Sequence, residues 1–339
     1  MSVSILAFFN NKGGVGKTSI VYHLAWMYAD LGMSIIAVDL DPQANLTAAF
    51  LTEERLIQLW PEGDHPETLY GCLQPLIRGI GDVSQPHMES ISPRLVLLPG
   101  DLALSSFEDQ LSEVWPKCLD GDERAFRVIS SFWRIMEAAA DRHDARLVLV
   151  DLGPNLGAIN RAALISCDYV AVPLSPDLFS LQGLRNLGPR LRQWRADWKK
   201  RLLVNPVADL KLPSGTMEPI GYVIQQHSVR LDRPVQAYDR WIAKIPSTYT
   251  QAVLNESPTG ASSFEADPNC LALLKHYRSL VPMAQQARKP MFHLKPADGA
   301  LGSHFQAAQS ARNDFSKLAT KIAGRVNVAV TEPQPILKF

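Results

Sequence analysis

Short, solidly apolar runs alternate along the chain with longer segments of mixed apolar and polar residues. Val3–Phe9 is apolar for most of its length and stops at a glycine-rich turn, which predicts a buried strand. Lys17–Leu31 contains no Pro or Gly before Gly32 closes it, which predicts a helix. Ser34–Val38 predicts a second strand and Leu95–Leu98 a third, closed by Pro99-Gly100. Ala125–Arg142 predicts a helix, Arg146–Val150 a strand ending at Asp151, Asn155–Ser166 a helix and Tyr169–Val172 a strand. Leu178–Lys200 predicts a long helix with a candidate break at Gly188-Pro189. Ile220–Ile224 and Trp241–Ile245 predict later strands. His304–Val326 predicts a closing helix whose apolar positions include Phe305, Phe315, Leu318 and Ile322.

Apolar strands alternating with helices imply an α/β fold: one doubly wound, mostly parallel sheet with helices on both faces. Pro, Gly and Ser accumulate in excursions near 51–93 and 203–219, and again over Asn255–Asn269, without a clean boundary. We therefore expect a single domain over 1–326 and a C-terminal tail over 327–339.

The 339 residues are 46% hydrophobic and 20% charged, enough to bury a substantial core as a soluble globular protein. No run of 18 apolar residues predicts a membrane span. The apolar N-terminus lacks a basic flank, so it reads as a strand and not as a signal peptide. Cys72, Cys118, Cys167 and Cys270 form no CxxC pair, which argues against disulfide, zinc and iron–sulfur frameworks and suits a reducing cytoplasm. A formal net charge of zero hides an uneven distribution. Leu40–Arg124 carries 5 basic and 15 acidic residues, Gly183–Lys244 carries 12 and 5, and Lys275–Arg325 carries 9 and 2. Such asymmetry can mark a polyanion-binding face.

The sharpest chemistry is Asn11-Lys12-Gly13-Gly14-Val15-Gly16-Lys17-Thr18, followed by Ser19. Asn11 stands where the ordinary G-x-x-x-x-G-K-[ST] pattern has its first glycine. The physics survives: three glycines let backbone N–H groups turn inward around phosphate oxygens, and a helix start adds its free amides. Lys17 would reach the β/γ-phosphates and the Thr18 hydroxyl would bind Mg²⁺. Asp39, Asp41 and Asp151 stand at the carboxyl ends of predicted parallel strands, where such sheets bind ligands. A nearby cation would compensate a carboxylate buried there; for Asp151, a helix N-cap is the alternative.

Lys12, together with Val38-Asp39-Leu40-Asp41-Pro42-Gln43-Ala44-Asn45, resembles the deviant Walker A and Walker A′ motifs of the ParA/MinD superfamily, closest to its ParA partition branch. The resemblance continues at Leu147–Pro154, Ile159–Leu164 and Asp168–Leu174, and more weakly through Ile220–Gln225 to the closing helix. It implies a P-loop ATPase, slow without a partner, that uses ATP and Mg²⁺ and dimerises around nucleotide. Lys12 would cross the dimer to the partner's phosphates, and Lys17 would act beside it. Asp41 would orient the attacking water, and Asp39 and Asp151 would lie near Mg²⁺ with Thr18. Asn160 and Gln225 would lie near the base or ribose. The family commonly has two prolines after the Walker B aspartate; this chain has Gly153 and Pro154 after Leu152.

The resemblance also implies non-specific DNA binding in the ATP state, a ParB-type activating partner and cytoplasmic, nucleoid-associated localisation, with no membrane partner. Arg185, Arg190, Arg192, Arg195, Lys199, Lys200 and Arg201, against Asp197 alone, form the candidate DNA stripe. Trp194 and Trp198 would pack inward, and Arg278, Arg288, Lys289 and Lys295 would add charge. A solvated amphipathic helix is the alternative for this stripe. For the whole chain, the alternatives are a regulatory or defence-operon ATPase acting on a protein, and a MinD-like membrane-positioning ATPase.

Overall fold

The computed structural model describes residues 3–225, 240–258, 263–277 and 279–330. Arg278 and residues 331–339 of the expected tail lie outside them.

Eight strands form one sheet in the order β3-β4-β2-β5-β1-β6-β7-β8. They are β1 (Ser4–Phe8), β2 (Ile35–Asp39), β3 (Glu89–Ser92), β4 (Leu95–Leu98), β5 (Leu147–Asp151), β6 (Tyr169–Leu174), β7 (Glu218–Gln225) and β8 (Cys270–Leu274). Of these, β3 alone runs antiparallel, against β4. β1 shows why the strands read as continuous apolar runs. Ile5 and Ala7 point into one core, while Leu6 and Phe8 point into another on the opposite face. Both faces are therefore covered, as doubly wound parallel sheets require. Each large apolar side chain buried this way contributes about 1.5–3 kcal/mol.

Helix α1 (Lys17–Asp30) packs against the closing helix Ser303–Arg325. Phe315, Leu318 and Ile322 are buried, and Tyr28 Oη donates to Ala319 O at 2.9 Å. Phe305 is exposed, contrary to its expected core role, because it stands in the first turn beyond the packed stretch.

Several boundaries depart from the sequence reading. The excursion near 51–93 contains α3 (Glu53–Leu59), α4 (Leu69–Ile77) and β3, with α2 (Asn45–Phe50) just before it. Ala125–Arg142 divides at Ser130 into α6 (Glu123–Ile129) and α7 (Ser131–His143), after α5 (Phe107–Lys117). Helix α8 spans Ala158–Ile165.

Helix α9 (Leu178–Leu202) runs unbroken through Gly188-Pro189. Gly188 is there for clearance: a β-carbon would fall 1.9 Å from Ala252 O. Trp241–Ile245 is not a strand. A helix begins at Ile245 with Pro246 in its first turn, a placement that pre-sets helical φ. The last strand is Cys270–Leu274 instead.

Candidate functional site

The glycine-rich loop connects β1 to α1 at the carboxyl edge of the sheet. Gly14 (φ 69°) and Gly16 (φ 74°) take left-handed backbone, which glycine adopts without a Cβ penalty. At Gly16 there is a second reason. A β-carbon would lie 2.2 Å from the Gln225 side-chain amide, whose Nε2 donates to Gly16 O at 3.1 Å. Gln225 thus lies against the phosphate loop. Val15 is buried under the turn, while Gly13 and Gly14 are exposed.

Lys17 is buried and donates from Nζ to Asn10 O at 3.3 Å and Lys12 O at 3.4 Å. Burial pushes its pKa down, and the Asp151 and Asp41 carboxylates counter that shift. Lys12 does not project freely. Its Nζ pairs with Asp177, the N-cap of α9, whose Oδ1 also accepts from Ser180 N at 2.9 Å. Asn10, which was not singled out from sequence, organises the loop base. Its Nδ2 donates to Pro173 O at 2.7 Å and its Oδ1 accepts from Lys12 N at 3.0 Å. Asn11 Oδ1 is buried without a hydrogen-bond partner among the described residues.

Asp39 and Asp151 are in register on adjacent strands, and both are fully buried. Their surroundings differ. Asp39 Oδ2 accepts from Thr47 N at 2.8 Å and Thr47 Oγ1 at 2.7 Å, and Oδ1 accepts from Asp41 N at 3.3 Å. Burial still raises its pKa to about 7. The Asp39 oxygens thus hold the Asp41 turn and the start of α2, in register with Asp151 on the next strand.

Both oxygens of Asp151 are buried without a hydrogen-bond partner among the described residues. Burial, then the Asp39 charge, hold its pKa well above the usual carboxylate range; the Thr18 hydroxyl and Lys17 pull the other way. An N-cap role for Asp151 is not what the structure shows: α8 starts later, and Glu108 of α5 accepts from Ala158 N and from Ile159 N (2.8 Å). An orphaned carboxylate beside a threonine hydroxyl fits a hard divalent cation such as Mg²⁺.

Asp41 Oδ1 accepts from Gln43 N at 3.0 Å at the rim of the same cleft. Asn160 is buried away from it. Its Nδ2 donates to Gly153 O (2.9 Å), Asn155 O (2.7 Å) and Asn155 Oδ1 (3.0 Å), so it ties down the loop after β5.

The cleft measures about 740 Å³ and runs from Gly13–Ser19 to Asp41 and Gln43, with Tyr22, Ala284 and Met291 among its farther walls. That volume suits a nucleotide-sized ligand. Arg288 and Lys289 line it too. His23 braces this wall: its Nδ1 is 2.7 Å from Ser19 O and its Nε2 accepts from Met291 N at 3.2 Å. These partners fix the neutral Nδ1–H tautomer, and burial lowers the His23 pKa to about 4.

The stripe on α9 divides. Trp194 and Trp198 pack inward as expected, and Arg185, Arg190, Lys199 and Lys200 are exposed. Arg192 instead donates to Ala252 O (2.9 Å) and Val253 O (3.1 Å). Arg195 donates to Thr216 O (2.6 Å) and Met217 O (2.7 Å). Arg201 is buried over the Trp115 ring at 3.8 Å. These three fasten α9 to its neighbours.

The family model described as an AAA domain matches residues 3–204. Over 189 residues the chain is 31% identical to a putative replication protein A of Rhizobium rhizogenes, covering 54% of this chain and 42% of that one. It therefore spans less than half of that relative's length. It is 28% identical over 206 residues to the chromosome partitioning protein ParA of Caulobacter vibrioides, covering 60% of this chain and 67% of that one. A structure of a Cyanothece McdA variant in complex with ATP shares the fold, with a TM-score of 0.60 at 13% identity over 97% of this chain and 98% of that one. The chain belongs to the AAA-domain family of this model, within the partition ATPase branch of the ParA/MinD superfamily.

Proposed function

We propose that this member of the ParA/MinD superfamily is a switch ATPase, binding ATP with Mg²⁺ at Lys12–Thr18, closing as a homodimer and reopening after slow hydrolysis. The observation that carries this reading is the pairing of Lys17 and Asp151 under one glycine-rich loop. One is a desolvated ammonium and the other an orphaned carboxylate. A polyphosphate and its cation would satisfy both.

In this reading the loop amides and Lys17 hold phosphate oxygens, and Thr18 and Asp151 hold the cation. Mg²⁺ would neutralise charge on the β- and γ-phosphates. Asp41 orients the attacking water and accepts its proton, while Asp39 keeps the Asp41 turn in place. Lys12 exchanges Asp177 for the nucleotide of the second protomer. Residues 1–326 act as one unit, with 327–339 as a tail.

The output is non-specific DNA binding through Arg185, Arg190, Lys199 and Lys200, positioning a DNA cargo until a ParB-type partner triggers hydrolysis. We place the protein in the cytoplasm, on the nucleoid when DNA-bound. No helix among the described residues is long and apolar enough to cross a membrane. One observation favours a second reading, an ATPase acting on a protein partner: Arg192, Arg195 and Arg201 are committed to internal contacts, which thins the candidate DNA stripe.

Lys17→Ala should weaken ATP binding by about 100-fold or more, roughly 2.7 kcal/mol, and abolish the ATP-dependent mass increase in light scattering. Full affinity with no effect of ATP on the wild-type oligomer would refute the switch.

A further inference from the structure

We infer that Gly153 positions the Asp41 carboxylate through space and thereby sets the hydrolysis rate; this rests on the reading of Asp41 as the group that orients water. The backbone does not require glycine at this position, since Gly153 is absent from the residues with left-handed φ. What glycine supplies is room. A β-carbon would lie 3.1 Å from Asp41 Oδ1, 3.5 Å from Asp41 Cγ and 3.7 Å from Pro42 Cδ. The first distance is shorter than carbon and oxygen normally tolerate.

Neither side can yield freely. Asp41 Oδ1 is already held by Gln43 N at 3.0 Å. The loop carrying Gly153 is pinned by Asn160, whose Nδ2 donates to Gly153 O at 2.9 Å and to Asn155 O at 2.7 Å. The next residue, Pro154, stands at the cleft beside Gly13, where a β-carbon would meet its Cγ at 4.0 Å. The missing side chain at 153 thus lets the loop after β5, the phosphate loop and Asp41 close on one edge. A methyl group there has to displace the carboxylate, because the opposing backbone is tied from behind.

The test is Gly153→Ala in the full chain, alone and combined with Asp41→Ala, with melting temperature, ATP Kd and kcat measured for each. The expected result is a kcat about five-fold or more below wild type, with Kd within about two-fold and the melting temperature unchanged. The double variant should be no slower than Asp41→Ala alone, because the effect passes through that carboxylate. A kcat at the wild-type level, or the same fractional loss without Asp41, overturns the inference.

A second readout is independent of turnover. The ¹³C carboxyl resonance of Asp41, assigned with Asp41→Asn, should move in Gly153→Ala. If Asp41→Ala itself hydrolyses ATP at the wild-type rate, the catalytic reading of Asp41 falls and this resonance decides: a shift supports positioning by Gly153, and an unmoved resonance overturns it.

Discussion

Two segments of this chain advertise phosphate binding in the same way, by clustered cations, yet the fold uses them differently. In Lys12–Thr18 the buried cation converges on carboxylates: Lys17 lies beneath the loop, toward Asp151 and Asp41, while Lys12 pairs with Asp177 at the start of α9. On α9 the cations diverge. Arg192, Arg195 and Arg201 turn to backbone carbonyls of neighbouring segments, and Arg185, Arg190, Lys199 and Lys200 remain in solvent. A guanidinium can satisfy several carbonyls at once, so arginine is as natural a structural clamp as a phosphate ligand. Count of charge therefore says little about role until the acceptors are known.

The largest expected effect tests the converging site. Asp41→Ala should lower kcat by about 100-fold while leaving ATP binding and ATP-dependent dimerisation intact. Wild-type turnover in a single-turnover assay would remove Asp41 from that site's chemistry. Arg195→Ala comes next and addresses the diverging segment. It should cost about 2 kcal/mol in denaturant unfolding, because two backbone carbonyls lose a charged donor. DNA affinity at fixed salt should hardly change. A protein that unfolds like wild type but loses DNA would return Arg195 to the surface role.

The smallest effect should come from replacing Arg190, Lys199 and Lys200 with glutamine. In the ATP state this should lower DNA affinity and flatten the dependence of log K on log salt by up to about 2.7, with no change in stability. An unchanged slope would leave α9 without a DNA face and favour the protein-partner reading.

Much of the converging site is legible in the sequence because its signals are local. The strands β1, β2, β5 and β6 are buried on both faces, so they appear as unbroken apolar runs, each ending at or near a polar loop. Lys12–Thr18 and Asp39–Asp41 are contiguous for the same reason. What escaped reading depends on distance along the chain. Asp177 lies 165 residues from Lys12, and although the resemblance names Gln225, its contact with Gly16 spans 209 residues and follows from no spacing. Glu108 caps α8 from another helix, and no spacing rule links them.

The elements missed were short or interrupted: α4 carries Pro75 inside it, and β3 has no fully buried residue. Trp241–Ile245 reads as a strand because so short an apolar run fits either period, and Pro246 marks a helix start instead.

The family match ends at residue 204, yet Gln225 reaches back from β7 to the carbonyl of Gly16, and Met291 meets the imidazole of His23. A boundary drawn by similarity is thus not a boundary in construction. A chimera carrying the first 204 residues on a foreign C-terminal half would inherit the nucleotide floor and lose its roof. Grafting experiments that aim to keep this site would need to carry Gln225 with β7, and Met291 with its short helical turn, across the junction.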